Sequence, residues 1–209
     1  VGLTIDSKYL KQRNEVALVW PFKDCVLEGG QSREEDKREE IFFNEILAQD
    51  EITQLLEPKV LTNAKVFDKD GEQKFKDFAR DKEINKKRGL PENTITDNLI
   101  IKGNNLLALH SLKKEFTGKV KLIYIDPPYN TGSDSFKYND SFNESTWLTF
   151  MKNRLQVAHK LLNKKGAIYV HIDHHQLGNL NILLNEVFGK ENKVQVISIK
   201  TASPAGFKT

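Results

Sequence analysis

The stretch KLIYIDPPYNTG, residues 121–132, decides how this chain is read. An apolar run from Leu122 to Ile125 ends in Asp126, followed by Pro127, Pro128 and Tyr129. A short apolar run bounded by turn residues predicts a buried strand, and Asp126 stands where that strand surfaces. Asp-Pro alone is also an ordinary strand terminator. The four residues together offer more. Neither proline carries an amide hydrogen, so their carbonyls project from a stiff turn with no competing backbone donors beside them. A carboxylate, a carbonyl and the flat face of Tyr129 suit a planar ring bearing an exocyclic amino group.

Outward from this stretch, residues 97–209 alternate between two periodicities. Leu99-Ile100-Ile101 reads as a short strand, followed by the turn Gly103-Asn104-Asn105. Leu106, Leu109 and Leu112 then recur at helical spacing. Val120–Ile125 is the second strand. Leu148, Met151, Leu155, Ala158 and Leu162 predict a helix starting near Ser145 and stopping at Gly166. Residues 167–172 read as a third strand, 177–188 as a third helix and 194–199 as a fourth strand. Alternating strands and helices predict an α/β fold with a mostly parallel sheet. In such sheets ligands bind beyond the carboxyl ends of the strands, where Asp126 lies.

Residues 1–96 lack this rhythm. Ser32-Arg33-Glu34-Glu35 fits a capping box. Ile41, Phe42 and Ile46 behind it predict an amphipathic helix reaching Leu47. Asp50 is placed to start a second short helix through Leu56, ended by Pro58. Residues 68–90 mix both signs of charge and read as a solvated face or linker, with a basic DNA-facing patch at Lys86, Lys87 and Arg88 as the alternative. The expected organisation is a mainly helical interaction region over 1–96 and a catalytic half-domain over 97–209.

The 209 residues carry 32 basic and 29 acidic side chains, a net charge of +3, and 38% hydrophobic residues. This is the balance of a soluble domain, and the slight basicity is weak evidence for a nucleic-acid partner. No apolar run reaches the roughly 18 residues that a membrane span needs, and the first residues do not read as the charged-then-apolar pattern of a signal peptide. The single cysteine, Cys25, allows no internal disulfide and fits a reducing, cytoplasmic setting. The chain starts at Val1 and its one methionine is Met151, so it is expected to be a processed product or a piece of a longer protein.

Asp126-Pro127-Pro128-Tyr129 resembles the catalytic motif of DNA amino-methyltransferases, which use S-adenosylmethionine. The longer IDPPYNTG, with Phe136-Lys137-Tyr138-Asn139-Asp140 after it, resembles the adenine-specific modification (Mod) subunits of Type III restriction–modification systems. IIKGNNLLALHSL (100–112), GAIYVHID (166–173) and DSKYLKQRNEVALVWPFKDCVLEGG (6–30) are similar to the same subunits. The resemblance therefore spans nearly the whole chain. It implies a Rossmann-like methyltransferase with permuted motif order, a partial doubly wound sheet, double-stranded DNA as substrate, and a restriction (Res) subunit and a second Mod subunit as partners. RNA methyltransferases share the short motif but not the long match.

The implied reaction methylates the 6-amino group of an adenine flipped out of the duplex. Tyr129 would stack on the base, a contact worth about 1–3 kcal/mol. Asp126 and the Pro127 carbonyl, on the Pro128-stiffened turn, would accept hydrogen bonds from the amine and aim its lone pair at the methyl donor. The effects are positioning and electrostatics, with no metal and no covalent intermediate required. Asn104 and Asp126 are the expected cofactor contacts. Asn104 stands where many relatives have an acidic residue, and a turn that caps the next helix explains it equally. Tyr129, Asn130, Thr131 and Tyr138 are the expected base contacts, with residues 131–143 as a flap carrying Phe136 or Tyr138.

His171, Asp173, His174 and His175 invite a metal reading, but no further ligand cluster completes a site. Asp173 is instead expected to shape the pocket. The chain contains no Gly-x-Gly, the turn such enzymes use for S-adenosylmethionine. The expectation is a chain that carries the acceptor chemistry without most of the cofactor pocket or the sequence reading. The competing readings are a non-enzymatic DNA-binding or subunit-interaction module, and a solitary adenine methyltransferase without a nuclease partner.

Overall fold

A computed structural model of the chain describes residues 4–5, 8–9, 18–29, 40–131 and 142–199. The expected capping box at Ser32–Glu35, and Phe136 and Tyr138 of the expected flap, lie outside them. In chain order the elements are β1 (Thr4–Ile5), β2 (Lys8–Tyr9), β3 (Cys25–Glu28), β4 (Ile41–Asn44), α1 (Gln49–Leu56), β5 (Lys65–Asp68), β6 (Gly71–Lys74) and α2 (Lys82–Arg88). They continue with α3 (Asn105–Phe116), β7 (Val120–Ile125), α4 (Glu144–Leu161), β8 (Leu162–Val170) and α5 (Leu177–Phe188). A single 3-10 turn, Lys190–Asn192, follows α5.

The unit that positions the site is β7–α4–β8. The two strands pair in parallel, Ile123 opposite Ile168 and Ile125 opposite Val170. A parallel pair needs a crossover, and α4 supplies it. Alternate residues Ile125, Ile168 and Val170 pack against the main core, while Leu122, Tyr124 and Tyr169 on the other face are mostly exposed. The strand expected over 167–172 begins earlier, at Leu162, directly after α4. Val120 pairs with Leu162 and Leu122 with Ala167, so the strand bulges between them. Gly166 is thus not a helix stop. A Cβ there would lie 2.8 Å from the Val120 carbonyl oxygen, so the bulge needs a residue without a side chain.

The helix α4 is buried almost all round. Trp147, Leu148, Phe150, Met151 and Leu155 join Trp20, Leu27, Leu180 and Leu183 in one cluster. Val157 and Leu161 join Val26, Ile52 and Leu106 in a second. Burying each large apolar side chain contributes about 1.5–3 kcal/mol, so α4 is the spine on which the other elements dock. Three of its buried polar residues find partners in and around the β3–β4 hairpin. Asn153 Oδ1 accepts from Leu27 N at 2.9 Å, and its Nδ2 donates to the Cys25 carbonyl at 3.0 Å. Thr149 Oγ1 accepts from Trp20 Nε1 at 2.9 Å and donates to the Phe22 carbonyl at 3.1 Å. Lys152 Nζ donates to the Lys23 carbonyl and pairs with Glu45 at 3.1 Å.

The mainly helical N-terminal region is corrected by this arrangement. Ile41–Asn44, expected in a helix, is the strand β4, paired antiparallel with β3. A β-branched residue and two aromatics in a row suit a pleated surface better than an isolated short helix, and Phe42 stacks on Phe22 with ring centroids 4.2 Å apart. A second hairpin, β5–β6, follows α1, so hairpins and short helices alternate among the described residues up to 96. The helix through Leu56 and the helix at 177–188 form as expected, and α3 lies where the leucine spacing put it; α4 starts as expected but ends at Leu161, so Leu162 belongs to β8. Neither 99–101 nor 194–199 is a strand. Both runs have no partner strand among the described residues, and Ile100 and Val194 stand fully or almost fully exposed. The parallel sheet seen is therefore a pair. No helix among the described residues is long and apolar enough to cross a membrane.

Candidate active site

The carboxyl ends of β7 and β8 lie side by side, because Ile125 pairs with Val170 and the His171 amide continues the ladder to the Ile125 carbonyl at 2.9 Å. The next residue on each strand is therefore Asp126 on one and His171 on the other. Both side chains are substantially exposed, 59% for Asp126 and 44% for His171, so the pair opens to solvent rather than into the core. The turn Pro127-Pro128-Tyr129 folds back over this end. Tyr129 Oη donates to Asp126 Oδ1 at 2.7 Å and lies 2.6 Å from His171 Nδ1. The same Nδ1 is 3.2 Å from Asp126 Oδ1, and the two rings meet edge to face at 5.7 Å. Sequence reasoning weighed His171 only as a metal ligand and gave it no role beside Asp126. The signal was the parallel pairing itself, which brings the first residue past one strand beside the first residue past its neighbour.

Two devices hold the turn. Asn130 adopts φ 57°, a left-handed conformation that Asn tolerates better than most residues and that reverses the chain after Tyr129. The fully buried Trp147 reaches from the first turn of α4 and donates Nε1–H to the Pro128 carbonyl at 2.9 Å. The expectation concerned backbone donors; at Pro128 it is a side chain, the Trp147 indole, that takes the carbonyl. Trp147 donates to Pro128 and not to Pro127, and the Pro127 carbonyl belongs to the turn beside Asp126. Thr131 follows on the surface, and Tyr138 lies outside the described residues.

Asn104 caps α3. Its Oδ1 accepts from the amides of Leu106 at 3.0 Å and Leu107 at 3.4 Å, the N-cap role weighed for it. Its neighbour Asn105 accepts from Arg154 Nε of α4 at 2.7 Å. Asp173 turns away to its own loop, where it accepts from the His175 amide at 2.9 Å and contacts His175 Nδ1 at 2.6 Å. Asp173, His174 and His175 bring three ligand atoms within 4.8 Å, on an exposed turn. A local aspartate turn accounts for that closeness.

Chemically, the end of β7 presents an exposed carboxylate, a stiff turn and an aromatic ring within one hydrogen-bonding distance of each other. That set can bind a flat, amine-bearing group.

Residues 120–207 match the family described as "DNA methylase". Among curated proteins, the chain is 39% identical to the probable type III restriction-modification enzyme HindVI Mod subunit of Haemophilus influenzae, over 96% of this chain and 34% of that protein. It is 35% identical to the type III restriction-modification enzyme EcoP15I Mod subunit of Escherichia coli, over 60% of this chain and 24% of that protein. It is 42% identical to the Type II methyltransferase M.EcaI of Enterobacter cloacae, over 52% and 25% respectively. The chain thus spans about a third or less of the length of each of these relatives.

Proposed function

We propose that this chain, which resembles part of a Type III modification subunit over nearly its whole length, carries the amine-binding half of an adenine-specific DNA methyltransferase site. The observation that carries the reading is Asp126 at the carboxyl end of β7, beside a proline turn pinned to α4 and an aromatic ring at its edge. The fold follows the doubly wound, permuted methyltransferase plan, with β7 and β8 as its central pair.

The substrate is an adenine turned out of double-stranded DNA. Its 6-amino group donates to the Asp126 carboxylate and the Pro127 carbonyl. With both hydrogens so held, the nitrogen lone pair points away from the two acceptors, and the acceptors stabilise positive charge as it grows on that nitrogen. Tyr129 packs on the base, and Asn130, Thr131 and Tyr138 border it. S-adenosylmethionine supplies a methyl group on an electrophilic sulfonium. Of the expected contacts to it, Asp126 is exposed and fits a charged, sulfonium-bearing group, whereas Asn104 Oδ1 is engaged by the start of α3. The amide of Asn104 and the carboxylate of Asp126 are the residues that would border it here. By analogy with the proteins it resembles, the larger assembly includes a Res subunit and a second Mod subunit.

The test is Asp126→Ala in a full-length Mod subunit carrying this sequence. Methylation is lost and DNA binding is largely kept. Methylation that survives the change overturns the reading. Calorimetry of the 209-residue chain with S-adenosylmethionine, beside a full-length relative, tells whether residues 97–209 bind it without the remainder.

A further inference from the structure

We infer that His171 is the positioning residue of this site, a donor post that holds the Tyr129 hydroxyl while Asp126 changes partner. Asp126 Oδ1, Tyr129 Oη and His171 Nδ1 form a triangle with edges of 2.7, 2.6 and 3.2 Å. A carboxylate brings no hydrogen and a phenol brings one. The phenol hydrogen goes to the carboxylate at 2.7 Å. The 2.6 Å contact then needs a second hydrogen, and His171 Nδ1 is the atom that can bring it. The arrangement therefore calls for the Nδ1–H form of the imidazole, donating to Tyr129 Oη and leaning toward Asp126.

The three residues are not held alike. The backbone of His171 is tied into the sheet through its bond to Ile125, at 2.9 Å. Tyr129 sits on the turn, with Asn130 in the left-handed region behind it. With both backbones held, the adjustable part is the phenol hydrogen, which rotates about the bond to the ring. In the resting triangle the Tyr129 hydroxyl sits on Oδ1, one of the two carboxylate oxygens open to an incoming amino group. When the amine takes that oxygen, the phenol hydrogen swings away while the His171 N–H keeps its hold on Tyr129 Oη. The ring stays beside the base although its bond to Asp126 is gone.

The catalytic consequence rests on the adenine-methylation reading, whereas the imidazole form does not. In a full-length subunit, His171→Leu removes the donor and lowers kcat about three- to tenfold, the worth of one ordinary hydrogen bond. DNA affinity, dominated by backbone contacts, moves less than about twofold. His171→Asn can place an amide N–H near the position of Nδ1–H and restores kcat. If Leu and Asn variants both match the parent, or are both equally impaired, the donor role is wrong. Asp126→Ala run alongside separates the two ideas, since methylation surviving there sinks the functional reading itself. Nitrogen-detected NMR of the 209-residue chain at mildly alkaline pH reads the imidazole directly. A protonated Nδ1 that is perturbed by Tyr129→Phe supports the inference, and a protonated Nε2 with bare Nδ1 overturns it even if no variant is active.

Discussion

The indole of Trp147 donates to the carbonyl of Pro128 across 2.9 Å, from a side chain with no exposed surface to a turn at the molecular edge. This one bond ties the proline turn to the spine of the core. Trp147→Phe keeps the aromatic bulk but leaves the carbonyl without its donor. The expected loss is about 1–3 kcal/mol of stability by denaturant titration. Amide exchange at Tyr129 and Asn130 should quicken more than exchange in α5, because the loss is local.

Asn153 closes a two-bond clasp on the backbone of β3, to Leu27 N and the Cys25 carbonyl. Asn153→Ala unpairs a buried donor and a buried acceptor together. The variant should lose about 2–6 kcal/mol, from the roughly 1–3 kcal/mol that each of the two unsatisfied groups costs. Equal stability in chemical denaturation would mean that β3 does not rest on α4 in this way.

Gly166 lies where the β8 bulge meets β7. An alanine Cβ would come within 2.8 Å of the Val120 carbonyl oxygen and 2.9 Å of Leu162 Cδ2. Backbone cannot yield cheaply there, so Gly166→Ala should cost about 1–3 kcal/mol by overpacking, read as a lower thermal midpoint.

His110 on α3 has its pKa pushed down to about 4, by burial first and then by the charges of Lys113 and Lys160. The unfolded chain takes up this proton near pH 6.5, before the folded one does. Stability from this group is therefore complete above about pH 6.5 and falls as pH drops toward about 4. His110→Gln removes that dependence. The stability difference between variant and parent should change by about 1–2 kcal/mol between pH 7 and pH 4.5, allowing for partial solvent access, in denaturation curves taken at both.

The sequence exposed some of this readily and hid the rest for physical reasons. The helix at 177–188 was legible because seven apolar residues sit among polar ones over a helical length. Residues 41–44 misled because four residues cannot establish a period, and their partner strand lies at Cys25–Glu28, across a gap no local pattern spans. The runs at 99–101 and 194–199 carry strand-like composition, yet composition supplies no hydrogen-bond partner. At the site, Asp126 and Tyr129 announced themselves by their neighbours in the chain. His171 and Trp147 did not, since each acts through a residue distant in sequence: Asp126 and Tyr129 for the first, Pro128 for the second.

Cys25 is the only thiol in the chain, buried in β3 at 5% exposure beneath the clasp of Asn153. Its pKa is raised by burial first and then by Asp24 and Glu45, which blunts the thiolate further. Labelling by a thiol-reactive dye is therefore expected to follow opening of the hairpin around β3. The labelling rate becomes a clock for that one event, and dividing it by the rate in denaturant gives the opening equilibrium without adding any probe to the chain.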